Sequence, residues 1–336
     1  MIQSFQERIR EAVARRAPLR LRGGGTKDFY GNTPRGEVLD TRGYAGIVEY
    51  EPTELVITAR CGTPLAELET QLEKNRQCLG FEPPHFGAGA TLGGCIAAGL
   101  SGPRRASAGA LRDFVLGVKL VDGRGEALAF GGQVMKNVAG YDVSRLVAGS
   151  LGTLGLIAEV SLKLAPRPQA ETTLRLEAPQ ARALELMNRW AGQPLPVSAT
   201  AWHDGELFVR LSGSQAGVRA AAAKIGGEAL DAPVWDAIRE HTHPFFSGTE
   251  PLWRLSLPST SPALEAKSQL IEWNGGLRWV KASQKPNAKA TLFRGGDKDG
   301  GCFAPLAPVL ARVHRQLKAA FDPAGIFNPG RLYAEL

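Results

Sequence analysis

The sequence predicts an α+β protein in two unequal parts, and three observations carry that expectation. The chain has 336 residues, more than one typical domain needs. Its 40 glycines, far above the usual share of about 7%, crowd into the first half. Past Pro166 glycine thins, and strands and helices alternate in the ordinary way.

Taken in order, residues 3–16 set Phe5, Ile9 and Val13 at four-residue spacing, an amphipathic helix that Pro18 closes. Leu19 to Arg22 reads as a short strand running into Arg22-Gly23-Gly24-Gly25-Thr26-Lys27. This is no Walker loop, which needs Gly-Lys-Ser/Thr where this chain has Gly-Thr-Lys. Nor is it a Rossmann turn, because residues 28–36 are polar, aromatic and broken by Gly and Pro instead of helical. Consecutive N–H groups in a glycine turn still form an anion nest, flanked here by Arg22 and Lys27, and a pyrophosphate is its natural guest. Residues 46–51 and 55–61 read as strands, and 64–75 as a helix with Leu65, Leu68 and Leu72 on one face. A second glycine segment runs from Gly87 to Gly102. Leu92 at its third position and Pro83-Pro84 ahead of it make a poor dinucleotide fingerprint. As a short helix, however, it puts Gly93, Gly94, Ala97 and Ala98 where a flat ligand can lie close. Residues 113–122 read as a strand, turning through Asp122-Gly123-Arg124-Gly125 to a partner at 127–130. The third segment, Gly149-Ser150-Leu151-Gly152-Thr153-Leu154-Gly155, opens onto Leu156, Ala158, Val160, Leu162 and Leu164 alternating with Glu159, Ser161 and Lys163. That is a half-buried strand with a glycine mouth.

In the second part, strand 172–176, helix 180–190, a hairpin of 199–202 with 207–211, helix 218–225 and strand 252–257 give a β-α-β-β-α-β order. Such an order means an antiparallel, ferredoxin-like sheet with helices on one face. A helix over 264–273 and a strand over 290–293 follow. Residues 305–321 read as a helix with Leu306, Val309, Leu310, Val313 and Leu317 on one side, ending in Phe321-Asp322-Pro323-Ala324-Gly325-Ile326-Phe327-Asn328-Pro329-Gly330.

Composition sets the exclusions. With 43% hydrophobic and 22% charged residues the chain is soluble and globular. No window approaches the roughly 18 apolar residues of a transmembrane segment. With Glu7 and Glu11 among the first arginines and no apolar core, no secretory signal is expected. Cys61, Cys78, Cys95 and Cys302 never form C-x-x-C, so they make no zinc ribbon or cysteine-ligated cluster, and reduced thiols of a cytoplasmic protein are expected. The net charge of +7 is scattered, with Arg15-Arg16 and Arg104-Arg105 the only adjacent basic pairs named by the pattern. Anionic ligands or an acidic partner are therefore expected, and no nucleic acid. His241-x-His243 is the close histidine pair; Pro244-Phe245-Phe246 beside it favours a packed loop, and no metal site is expected.

The ordered set of glycine segments, the α+β insert and the C-terminal Asp-Pro-x-Gly-Ile-Phe-Asn-Pro-Gly resemble the vanillyl-alcohol-oxidase-type (PCMH-type) FAD-binding flavoproteins along the whole chain. Within them, Ser101-Gly102-Pro103-Arg104-Arg105, Val134-Met135-Lys136-Asn137-Val138-Ala139-Gly140-Tyr141-Asp142 and the short cap are most similar to the smaller FAD-binding subunits of bacterial glycolate oxidases. The resemblance implies an FAD-binding domain over 1–166, a cap over 167–304, and a segment, 305–336, that returns to the FAD-binding domain. It implies that Arg22, Gly23, Gly24, Gly25, Thr26 and Lys27 wrap the FAD pyrophosphate. Thr91, Leu92, Gly93, Gly94, Ala97, Ala98 and Gly102 would line the isoalloxazine and ribityl chain. Gly152, Thr153, Gly155, Leu156 and Ile157 would hold the adenine half, and Asn328 would approach the flavin edge. Many members tether FAD through a histidine just after the first glycine loop; Thr26-Lys27 stand there in this chain, so non-covalent FAD is expected.

The implied reaction removes a hydride from the hydroxyl-bearing carbon of a small 2-hydroxy acid, taking glycolate to glyoxylate. The implied partners are a larger FAD-binding subunit and an iron–sulfur subunit, in the cytoplasm or peripheral at the inner membrane through that complex. The His-x-Gly-Asp-Gly-Asn-type stretch that supplies metal or base in 2-hydroxy-acid-oxidising members is missing. Lys136, Tyr141 and Asp142 are then the catalytic candidates, their other role being to fix loop geometry. Two alternatives stay open: a stand-alone flavin oxidoreductase acting on a sugar or lactone, and a non-catalytic flavin-binding electron-transfer or structural subunit.

Overall fold

The computed structural model describes residues 1–132, 142–231, 233–266 and 268–336. Helix α1 (Ile2–Arg15) buries Phe5, Ile9 and Ala12, and Arg16 ends it in the left-handed region at φ 51°. Strands β1 (Leu19–Arg22) and β2 (Glu37–Asp40) pair in parallel. After them come β3 (Ile47–Glu51), β4 (Val56–Arg60), α2 (Leu65–Glu73), β5 (Gln77–Cys78), α3 (Leu92–Ala98) and α4 (Arg105–Ala108). The first part closes with β6 (Val115–Val121), β7 (Ala127–Gly131), α5 (Val143–Leu146), β8 (Leu156–Lys163) and β9 (Ala165–Pro166). A five-stranded sheet in the order β3-β4-β8-β6-β7 puts β8 at its centre. The alternation in β8 predicts a half-buried strand. As the central strand it is covered on both faces, so Ile157 and Ser161 are buried too, and the Ser161 and Thr58 hydroxyls share a 2.8 Å hydrogen bond. Leu68 and Leu72 of α2 and Leu92 and Ile96 of α3 pack with Leu120, Val160 and Leu162 of this sheet.

The second part contains β10 (Ala170–Glu177), α6 (Gln180–Ala191), β11 (Val197–His203), β12 (Glu206–Gly213), α7 (Gln215–Ile225) and β13 (Glu228–Leu230). It continues through α8 (Val234–Arg239), β14 (Leu252–Ser256), β15 (Gln269–Glu272), β16 (Leu277–Lys281) and β17 (Ala290–Arg294). These strands form one eight-stranded sheet, β13-β10-β12-β11-β15-β16-β14-β17, whose neighbours all run antiparallel. Its first half is the expected ferredoxin-like unit, but the closing strand is β13 and not the stretch at 252–257. That stretch, β14, belongs to a second half of four strands. The helix expected over 264–273 is replaced by β15, which pairs with β11 on one side and β16 on the other. All four of its residues are buried. A short apolar run hydrogen-bonded on both edges resembles a helix segment by pattern alone, and here the pairing wins.

Period-two alternation divides the faces of the sheet. Trp202, Leu207, Val209 and Ile271 lie under α6 and α7. Ala201, Phe208, Leu270 and Trp279 face Tyr30, Leu100 and Leu151 of the first part.

Helix α9 (Pro308–Phe321) departs from its expected packing. Val309, Leu310 and Val313 are 62%, 52% and 41% exposed, and its one buried residue is Lys318. The Lys318 Nζ donates to Thr153 O (2.8 Å) and Phe327 O (2.7 Å) and pairs with Asp322 Oδ2 (2.7 Å). Asp322 accepts from Ile326 N (3.2 Å) and Phe327 N (2.7 Å), which bends the chain back toward β1. Phe327 then packs with Leu19, Leu39 and Ala158. Among the described residues no helix is long and apolar enough to cross a membrane.

Candidate functional site

The loop after β1 lies against residues 85–91. The Thr26 hydroxyl donates to His85 O (2.7 Å), and Lys27 Nζ reaches the same carbonyl at 3.2 Å. Burial pushes the Lys27 amine below its usual range. A Cβ on Gly24 would sit 1.5 Å from Gly89 O, and one on Gly23 would sit 2.2 Å from Thr91 Oγ1. Bare main chain is required here because a second stretch of main chain lies against it. Thr91 also caps α3, its hydroxyl accepting from Gly94 N at 3.4 Å. Asn328 Oδ1 accepts from Leu21 N (2.8 Å), and its Nδ2 donates to Leu151 O (2.6 Å). One amide therefore staples β1, the turn before β8 and the C-terminal segment together.

These contacts leave two adjoining clefts. The first is lined by Arg22, Gly23, Gly24, Gly25, Thr26 and Lys27, with Thr91, Gly94, Ala97, Ala98 and Asn328 opposite. The second is lined by Gly93, Gly94, Ala97, Gly152, Gly155, Leu156, Ile157 and Asn328. Arg22, Gly23, Gly94, Ala97 and Asn328 belong to both, so the two form one elongated groove. Most residues singled out from the sequence meet there. Leu92 does not, being wholly buried in the core, and Thr153 is buried with its carbonyl on Lys318. Gly102 lines a neighbouring pocket, and its carbonyl accepts from Trp273 Nε1 at 3.0 Å.

The groove suits FAD. A Cβ on Gly94 would meet only Thr91 Oγ1, at 3.3 Å, so the floor is thin main chain and methyl groups open to a flat ring. Basic side chains stand at the glycine loop, although Arg20 and Arg22 both reach Asp28 Oδ2, at 2.6 and 2.8 Å. Arg22 folds back over Gly25, where a Cβ would be 2.0 Å from its guanidinium. Arg22 is thus engaged with Asp28 and with the turn itself, and Lys27 with the His85 carbonyl, which leaves the backbone N–H groups of the loop for the expected nest. Cys61 borders the second cleft with its thiol pushed up to about 12, chiefly by burial, so it stays protonated.

Of the catalytic candidates, Lys136 and Tyr141 lie outside the described residues. Asp142 caps α5, its Oδ1 accepting from Arg145 N at 3.1 Å, and pairs with Arg145 on the surface. His241 and His243 diverge. His241 stacks on Phe246 (3.8 Å, 2°), its pKa held well below the usual value by burial and then by Arg294 and Arg254. His243 accepts from Phe245 N at 3.2 Å. No group of three or more His, Cys, Asp or Glu among the described residues is arranged to hold a metal.

A neighbouring pocket went unread in the sequence. It lies between Leu100 and Ser101 of the first part and His241, Arg254, Glu272 and Trp279 of the second. Glu272 Oε1 accepts from Trp279 Nε1 (2.7 Å), and burial pushes the Glu272 carboxyl up to about 7. Arg254 lies 5.3 Å from the Trp273 ring, whose other neighbour is Arg105 at 4.5 Å. Arg254 forms no close salt bridge among the described residues, and its charge acts on the Glu272 carboxyl, opposing the rise that burial causes. The available signal was a charged residue on the inward side of a strand, legible only once 269–272 is read as a strand. Glu240 holds this seam together, its carboxylate accepting from His85 N (3.1 Å) and Phe86 N (2.8 Å).

Comparison with known proteins gives concordant matches. The family model described as an FAD binding domain matches residues 2–131, and that of the C-terminal domain of FAD linked oxidases matches 305–332. The glycolate oxidase subunit GlcE of Escherichia coli (strain K12) is 47% identical, over 99% of this chain and 98% of that one. The glycolate oxidase subunit GlcD of Bacillus subtilis (strain 168) is 34% identical over 47% of this chain and 34% of its own. A D-lactate dehydrogenase of Archaeoglobus fulgidus is 34% identical over 48% of this chain and 36% of its own. Among solved structures, an alkyldihydroxyacetonephosphate synthase superposes with TM-score 0.67 at 16% identity, covering 96% of this chain and 73% of that one, a likeness of fold.

Proposed function

This chain belongs to the family of FAD-binding flavoproteins that includes the E. coli glycolate oxidase subunit GlcE, and from that membership we propose that it is the smaller FAD-binding subunit of a complex oxidising glycolate to glyoxylate. The observation that carries the reading is the continuous groove, floored by Gly94 and Ala97 and walled by the three glycine segments. Bound there, FAD would supply the hydride acceptor and the chain its position. Gly23 to Lys27 would hold the pyrophosphate, Gly93, Gly94, Ala97 and Ala98 the ring and ribityl chain, and Gly152, Gly155, Leu156 and Ile157 the adenine half. The cofactor is non-covalent in this reading, since the tethering position carries Thr26, whose hydroxyl is committed to His85 O. A larger FAD-binding subunit and an iron–sulfur subunit complete the complex, in the cytoplasm or peripheral at the inner membrane. The test is purification: the protein should be yellow, and denaturation followed by filtration should leave all the flavin in the filtrate. A colourless protein that takes up no FAD would overturn the proposal.

Arg254 favours a second element, a carboxylate site in this chain itself. A guanidinium in no close ion pair is suited to hold a 2-hydroxy acid by its carboxylate. Glu272, titrating near neutrality, could take or return a proton beside it. Anaerobic mixing of the isolated, FAD-loaded chain with glycolate decides the point. Rapid bleaching that Arg254→Leu abolishes assigns oxidation to this chain. Absence of bleaching leaves it an electron-relaying or structural flavoprotein whose partner acts on the substrate.

A further inference from the structure

The last helix carries a surface that nothing among the described residues covers. On the side turned to the body of the protein, α9 has Lys318 and the half-buried Ala311, His314 and Phe321. Its apolar stripe of Val309, Leu310, Val313 and Leu317 lies roughly a third of a turn away, counting 3.6 residues per turn. None of the four belongs to any packed apolar cluster of the protein. A helix of 14 residues held along one side, through Lys318, Phe321 and the His314–Tyr333 ring contact, is marginal on its own in water. Val309, Leu310 and Val313 are exposed and Leu317 is half-buried, and such a contiguous patch of large aliphatic side chains marks an interface.

The charge around the stripe restricts what can cover it. Arg312 and Arg315 are the exposed charges of the helix, Lys318 being buried against Asp322, and no Asp or Glu lies on it. Arg315 reaches Glu335 only at 3.9 Å, and Arg312 has no carboxylate partner among the described residues. Packing against a second copy of α9 would set arginines against arginines with no acid on the helix to answer them. We propose that α9 docks its Val309–Leu310–Val313–Leu317 stripe into an apolar groove rimmed by carboxylates on a different polypeptide, another subunit of the same complex. This is helix-in-groove recognition with anchors at i, i+1, i+4 and i+8. The inference rests on the subunit reading above and adds the surface through which assembly occurs.

The test co-expresses the tagged full-length chain with the larger flavoprotein and iron–sulfur subunits and measures both in the affinity eluate. Leu310→Glu/Val313→Glu should lower the co-purified partners about tenfold or more. Flavin content and melting temperature should stay at the wild-type values, since no packed cluster loses a member. Arg312→Glu alone should weaken capture, and added salt should weaken it in the wild type. If the double variant captures both partners as the wild type does, the docking surface is wrong while the subunit reading stands. If the wild type captures neither, the subunit reading fails and this inference with it. If the substitutions change only self-association, the face belongs to a second copy and the proposal is overturned.

Discussion

Replacing Lys318 with methionine tests how the C-terminal segment supports the groove. The side chain keeps its length and loses its charge. Three bonds disappear together: those to Thr153 O and Phe327 O, and the pair with Asp322. Asp322 is 1% exposed, so its carboxylate stays buried with only the N–H groups of Ile326 and Phe327 to compensate it. Removing one partner of such a pair costs about 3–5 kcal/mol. At about 2–4 °C per kcal/mol for a larger domain, the melting midpoint should drop by roughly 6–20 °C. Thr153 sits at the mouth of β8, so the adenine end of the groove should loosen as well. The absorbance ratio of bound flavin to protein should therefore fall even at temperatures where the chain stays folded. Lys318→Met/Asp322→Asn should recover about 1–3 kcal/mol of the loss, because the two residues are directly coupled. The assay is thermal unfolding of the three proteins with and without added FAD. A single variant melting within about 1 °C of wild type, or a double variant no better than the single, would refute the reasoning.

Two more outcomes are expected. Gly24→Ala places a methyl group 1.5 Å from the Gly89 carbonyl, a backbone atom that cannot swing aside; the two loops must separate, and the purified protein should lose nearly all its flavin while its far-ultraviolet circular dichroism persists. Full flavin occupancy would show that the loops do not pack as described. For Glu272, the unfolded carboxyl ionises near 4.5 while the folded one keeps its proton to about 7. The unfolded state therefore releases its proton first, and native stability falls as pH rises between those values and levels off above them. The 2.5-unit gap between 7 and 4.5 corresponds to roughly 3 kcal/mol. Glu272→Gln keeps an acceptor for Trp279 Nε1 and escapes this loss, so its stability advantage should grow from pH 5 to pH 7.5. A difference independent of pH would show that Glu272 is not held protonated.

How much was legible depended on the kind of information each element carries. Helices α1, α2, α6 and α7 and the hairpins β6-β7 and β11-β12 declare themselves by periodic apolar positions between turn residues. β2 and β13 are short, largely exposed edge strands whose composition gives no alternation, so only their pairing reveals them. β15 hides for the opposite reason, being buried on both faces. The glycine segments did mark the groove, but Gly23 and Gly24 are glycines because residues 89–91 press on them. A sequence shows that main chain must be bare and not what lies against it. The pocket with Arg254 and Glu272 depends on strands from one part meeting a turn from the other, a long-range juxtaposition that no local spacing encodes. For α9 the amphipathic pattern was correct as a pattern, but no packed cluster of this chain takes up its apolar side.

The bond from Leu19 N to Ile326 O (2.7 Å), together with Asn328 bridging Leu21 and Leu151, has a consequence for biosynthesis. A nascent polypeptide holds every glycine segment long before residue 328 leaves the ribosome, yet the strand that launches the first of them has β2 on one side and lacks its second neighbour until then. Cofactor loading should therefore wait until residue 328 has been made. A premature stop shortly before Asn328 should leave an unloaded protein, a target for proteases, however intact the rest of it is.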